Sequence, residues 1–140
     1  MQIERPKLNR DEMVKRTKAF ALRIIKLVSA LPKNTVGNVI GKQILRSGTS
    51  IGANYREAIR ASSRKHFIST IQIVEREADE TLYWLELLIE AQIMEQRKLQ
   101  PLLDECDELL AIITATARTA KRRAVKINPK SEIQNPKLTS

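Results

Sequence analysis

Every glycine in this 140-residue chain falls between positions 37 and 52, at Gly37, Gly41, Gly48 and Gly52, and the five prolines stand at 6, 32, 101, 129 and 136. A chain with so few breakers reverses direction only a few times, so it must fill its interior with long elements. Between the breakers, apolar residues recur at three- and four-residue steps, the period of an amphipathic helix, and no strand-like alternation stands out. Aromatic residues make up 4% of the chain, so the interior is aliphatic.

The spacing predicts four helices. The first runs from Asn9 or Asp11 to about Leu31, with Val14, Thr17, Ala21, Ile24, Val28 and Leu31 inward and Pro32 as its stop. The second runs from about Val36 to Arg60, with Asn34 or Thr35 as cap. Its inner stripe is Val36, Ile40, Ile44, Ser47, Ile51, Tyr55 and Ala58. The third runs from about Arg64 to Met94 behind a Ser62 or Ser63 cap, with Phe67, Ile71, Val74, Ala78, Leu82, Leu85 and Ile89 inward. The fourth runs from about Lys98 to Arg123, with Pro101 in its first turn and Leu99, Leu102, Cys106, Leu109, Ile113, Ala117 and Ala120 inward. Short connections make neighbours antiparallel. The expected fold is all-α, an antiparallel up-down four-helix bundle over 11–124, with a polar lead (1–10) and a flexible basic tail (125–140).

The formal charge is +9, and it is segmented. Residues 1–33 hold nine Lys/Arg against three Asp/Glu, and 34–66 hold six against one. Residues 67–110 hold three against eleven, and 111–140 hold seven against one. Basic segments of this kind either hold an anion such as nucleic acid or pair with the acidic segment, within a protomer or between protomers. No apolar run reaches the roughly 18 residues of a membrane span, the first ten residues lack a signal-peptide apolar region, and Cys106 has no partner for an intrachain disulfide. A cytoplasmic protein with no membrane contact is expected.

At about 100° per residue the four glycines share a sector of roughly 60°. Each interior glycine costs about 1 kcal/mol relative to alanine, so their collection on one stripe points to a closely approaching helix, in the same chain or another. The third helix carries a second apolar stripe of Ile73, Trp84, Leu87, Leu88 and Ala91. A helix apolar on two sides needs a second partner, and Trp is enriched at interface hot spots. Ile73, Trp84, Leu87, Leu88, Gly48 and Gly52 are therefore candidate subunit-interface residues. A wide core face is the plainer alternative.

Lys15, Arg16, Lys18, Arg23 and Lys26 are placed on the outer side of the first helix, and Lys121, Arg122, Arg123 and Lys126 close the fourth. These are the candidate nucleic-acid contacts, although cations at a helix C-terminus also complement its dipole. With few free aromatics for base stacking, binding would be to phosphates and salt-dependent. Catalytic chemistry is not supplied. Gly37 to Lys42 falls one residue short of a phosphate loop and follows no strand. His66 stands alone, and Cys106 lies on an inner stripe. Glu77 and Glu80 lack the Glu-x-x-His companions of a bundle metal site. Arg46, Asn54 and Glu80 are expected to form a structural polar network, with Glu80 buried. No metal, cofactor or catalytic residue is expected.

The stretch Leu45-Arg46-Ser47-Gly48-Thr49-Ser50-Ile51-Gly52-Ala53-Asn54-Tyr55-Arg56-Glu57-Ala58, with Phe67 and Glu77-Ala78-Asp79-Glu80-Thr81-Leu82-Tyr83-Trp84-Leu85-Glu86-Leu87-Leu88, resembles the bacterial four-helix-bundle proteins named after intervening sequences of 23S rRNA genes. The resemblance spans about Val14 to Arg118. It implies an antiparallel bundle that assembles into a ring-shaped homopentamer, and it supplies no catalytic residues. A more distant likeness is to the accessory variability determinants of diversity-generating retroelements, which are basic and bind nucleic acid. The expectation is a non-enzymatic, self-assembling bundle that binds RNA or DNA through basic surfaces. The alternative is a protein-interaction scaffold without nucleic-acid affinity.

Overall fold

A computed structural model describes residues 9–127, and four helices account for nearly all of them: α1 (Arg10–Ser29), α2 (Thr35–Ile59), α3 (Arg64–Glu90) and α4 (Gln96–Ile127). Side-chain caps set three of the starts. Asn9 accepts the Glu12 amide at 2.8 Å, Asn34 the Gly37 amide at 2.8 Å, and Ser63 the His66 amide at 3.0 Å. Each satisfies an otherwise orphan donor, a contribution of about 1 kcal/mol.

Two ends differ from expectation. α3 stops at Glu90 rather than Met94, because Gln92 takes a left-handed conformation (φ 58°) and the Ile93 amide reaches back to the Leu88 carbonyl at 3.0 Å. This is a Schellman-type stop made without the usual glycine. α4 begins two residues early, at Gln96, which places the exposed Pro101 in its second turn. It also continues to Ile127, past the expected boundary at 124. The rest of the expected tail and most of the polar lead lie outside the described residues.

The helices pack in sequence, α1 on α2, α2 on α3 and α3 on α4, and a narrow α1–α4 seam closes the bundle. Directions follow from paired positions. Gly41 faces Val28 and Leu31, Gly48 faces Ile24, and Gly52 faces Thr17, so α2 runs against α1. Ser47 meets Thr81 while Glu57 lies near His66, so α3 runs against α2. Cys106 meets Ala78 across the turn at 91–95, as an antiparallel α4 requires.

The core is aliphatic, with Ile24, Ile44, Ile51, Ile71, Leu85, Leu109 and Ile113 fully buried and Phe20 as its one deep aromatic ring. On α1 the inward stripe is rotated from the expected one. Met13, Phe20 and Leu27 join Thr17, Ile24 and Leu31 inside, while Val14, Ala21 and Val28 are half-buried at the edge. Val36, expected inside, is exposed at the first turn of α2. The interior hydroxyls are satisfied. Thr17 donates to the Met13 carbonyl at 2.8 Å, and Thr81 Oγ1 lies 2.9 Å from Ser47 Oγ. No buried side-chain polar atom among the described residues lacks a partner.

The glycine stripe is explained inside one chain. A Cβ built on Gly48 would lie 2.8 Å from Ile24 Cγ1, one on Gly52 would lie 3.2 Å from Thr17 Oγ1, and one on Gly37 would collide with the Pro32 carbonyl oxygen. Gly48 and Gly52 are therefore not subunit-interface residues. The helix they admit is α1 of the same protomer.

Candidate nucleic-acid and assembly surfaces

The up-down order brings the start of α1, the α2–α3 turn and the end of α4 to one end of the bundle, and this gathers positive charge. Lys121, Arg122, Arg123 and Lys126 are exposed on the last turns of α4, and Arg60, Arg64 and Lys65 are exposed around the α2–α3 turn. Lys15, Lys18, Arg23 and Lys26 are exposed along α1. None of these makes an ion pair among the described residues, where the cationic partners are Arg16, Arg46, His66 and Arg97.

Arg16 is the exception within the α1 set. Its Nε and Nη2 donate to the two Glu105 carboxylate oxygens at 2.8 and 2.6 Å, and Nη2 also lies 3.0 Å from Glu108. Both Arg16 and Glu105 are largely enclosed, and the Glu105 hydrogen bonds hold the guanidinium even more firmly protonated than usual. Arg16 is thus a clasp across the α1–α4 seam and not a free phosphate contact. The sequence hides this because the pair is separated by eighty-nine positions.

Sequence reasoning missed Arg10 and Arg64. With Arg123 they line an open groove of about 1230 Å³ whose apolar walls include Met13, Tyr55, Ile112 and Ala115. The Arg10 guanidinium sits 5.6 Å from the centre of the Phe67 ring, a cation–π contact. Burial pushes the Tyr55 hydroxyl above its ordinary pKa, so it stays a neutral phenol at physiological pH. The signal for this site lies in topology: in an up-down bundle, residues 10, 64 and 123 share one end.

The second stripe of α3 divides. Leu88 is fully buried in the protomer core and is removed from the interface set. It follows Ala78, Thr81 and Leu85 at three- and four-residue steps, and all four are buried on the inward face. Ile73, Trp84 and Leu87 are half-buried, and Tyr83, stacked edge-on to Trp84 at 5.3 Å, is 55% exposed. Beside them lies a polar network. Arg46 Nη2 donates to Glu80 Oε1 at 2.6 Å, Arg46 Nη1 lies 3.2 Å from Glu77, and Trp84 Nε1 donates to Glu80 at 3.4 Å. The Arg46 hydrogen bond, aided by Trp84, holds the Glu80 carboxyl below its ordinary range. Asn54 is not part of this network, because its amide nitrogen donates to the Ser50 carbonyl at 2.9 Å. Glu80 is partly exposed rather than buried.

Nothing here resembles a catalytic constellation. The Cys106 thiol is buried, donates weakly to the Ala78 carbonyl at 3.5 Å, and is pushed up to about 12 by burial, with nearby carboxylates adding to the shift. Such a thiol is inert as a nucleophile at neutral pH. His66 lies 3.8 Å from the exposed Glu57 and touches no other titratable group in an ion pair among the described residues. Among those residues no cluster of His, Cys, Asp or Glu is arranged to hold a metal, and no helix is long and apolar enough to cross a membrane.

Residues 10–115 match the family described as 23S rRNA-intervening sequence protein. The chain is similar to a crystal structure of a protein of unknown function from the S23 ribosomal protein family of Bacteroides thetaiotaomicron, at 39% identity and a TM-score of 0.72 over 79% of this chain and 99% of that one. No curated protein matches the chain. The four helices, their order and the match over most of the chain place it in the 23S rRNA-intervening sequence protein family.

Proposed function

We propose that this is a non-enzymatic, cytoplasmic helical-bundle protein that self-assembles and binds RNA or DNA through its exposed basic surfaces. The observation that carries the reading is the set of unpaired, solvent-facing cations on α1 (Lys15, Lys18, Arg23, Lys26) and at the end of α4 (Lys121, Arg122, Lys126). A purely structural charge pattern would spend such residues on neighbouring carboxylates, as Arg16 and Arg46 are spent. Held on rigid helices, these side chains form a platform for phosphates, with little base readout because the aromatic rings are mostly turned inward or packed. Salt-dependent retention on immobilised polynucleotide tests the reading. Lys121→Gln/Arg122→Gln/Lys126→Gln should weaken it, and no retention even at about 50 mM salt would exclude it.

The self-assembly half is supported by the apolar side chains left outside the bundle, Leu22, Ile25, Val39 and Tyr83 among them, and by the segmented charge. A scaffold without nucleic-acid affinity is the second reading, favoured by the same features. It predicts assembly that changes with salt and no retention on polynucleotide.

A further inference from the structure

α4 outlasts α1. It has 32 residues against 20, or about 48 Å against about 30 Å at 1.5 Å per residue. Arg16 pairs with Glu105 and Glu108, and the two helices run antiparallel, so α1 begins near the middle of α4. The last turns of α4 consequently face no first helix, and the open groove lies there. Its walls are apolar and, along α4, small, with Ala111, Ala115 and Ala120 leaving room for another helix. Its rim carries Arg10, Arg64 and Arg123.

The shape and charge define the occupant: a helix with an apolar strip flanked by carboxylates. Two grooves cannot satisfy each other, because arginine would meet arginine, a repulsive juxtaposition. The outward side of α3 has the required chemistry. Tyr83 is exposed, Ile73 and Leu87 are half-buried, and Asp79, Glu86 and Glu90 are exposed on the same helix. We infer that the groove of one protomer receives the acidic outward face of α3 from a second copy of this chain. The inference rests on the self-assembly reading and assigns it a pair of surfaces. Because groove and face are different surfaces, the contact is head-to-tail, and it generates a closed ring when the rotation between copies allows.

Charge reversal with recombination tests the pairing. One variant carries Arg10→Glu and Arg64→Glu, reversing the groove. The other carries Asp79→Lys and Glu86→Lys, reversing the face. Light scattering should show the full chain as a multi-protomer particle and each variant as a single protomer. An equimolar mixture should regain multi-protomer mass, since each variant then meets its electrostatic complement. Recovery in the mixture also shows that both variants fold. Variants that keep the wild-type mass would overturn the groove assignment while leaving self-assembly standing. A wild-type chain that is monomeric at all concentrations would remove both.

Discussion

Gly48 on α2 and Ile24 on α1 are in such close register that a single added carbon would sit 2.8 Å from Ile24 Cγ1 and 2.9 Å from Cγ2. Ile24 is fully buried and β-branched, so it has little freedom to move aside. Gly48→Ala gains about 1 kcal/mol of helix propensity but overpacks this contact, for which costs of about 1–3 kcal/mol are typical. The expected outcome in a denaturant melt is net destabilisation. Gly41→Ala, which meets only the flexible end of Leu31 at 3.2 Å and Val28 at 3.4 Å, should be better tolerated. A Gly48→Ala protein more stable than wild type would mean that the close approach is not maintained in solution.

The left-handed Gln92 gives a prediction of the opposite sign. A non-glycine residue there costs roughly 1–2 kcal/mol in backbone terms, and glycine is the usual occupant of this Schellman position. Gln92→Gly should raise the melting temperature, tempered by the extra entropy of the unfolded chain. A lowered melting temperature would show that the α3–α4 turn is held differently.

Arg16 should matter for stability and not for polynucleotide binding. Arg16→Gln leaves Glu105 without its bidentate partner, and with both groups only partly shielded from water a loss of about 1–2 kcal/mol is expected. Lys18→Gln, at an exposed position, should leave the melt unchanged within about 0.5 kcal/mol and weaken retention on polynucleotide. The two variants measured side by side, by melting and by retention, separate the clasp from the platform. The same outcome from both would collapse that distinction.

Cys106 predicts an alkaline effect. Its thiol titrates near 9.0 when unfolded and is pushed up to about 12 in the fold. Below pH 9 both states are protonated and the contribution is fully present. As pH rises from 9 toward 12 the unfolded thiol ionises first, and stability is lost by about 1 kcal/mol per pH unit. Cys106→Ala lacks this slope, so the stability gap between wild type and variant should narrow above pH 9. Parallel curves from pH 8 to 11 would show that the thiol is not buried.

The bundle is legible in the sequence because scarce breakers and strong periodicity agree, and because Asn9, Asn34 and Ser63 cap where the sequence places caps. The misplaced end of α3 shows the limit. Helix stops are read from glycine, and here Gln92 adopts the conformation that glycine usually supplies. On α1, Val14 and Met13 are both apolar neighbours, so the three- and four-residue spacing fits two stripes. Which one is buried is decided by the α1–α2 contact at Gly48. The basic surfaces are visible as residue types, but their pairing is not. Arg16 is neutralised by residues of α4, and Arg10 and Arg64 join Arg123 only through the topology. Long-range partners of this kind leave no local pattern.

The most direct measurement of the central claim is the affinity of the purified chain for a polynucleotide as a function of salt. If the unpaired cations on α1 and α4 hold phosphates, log K should fall linearly with log salt, with binding clear at about 50 mM and largely lost by about 200 mM. The Lys121→Gln/Arg122→Gln/Lys126→Gln variant should show a shallower slope, by about one for each phosphate contact removed. No binding at the lowest salt, or binding indifferent to salt and to these substitutions, would contradict the account.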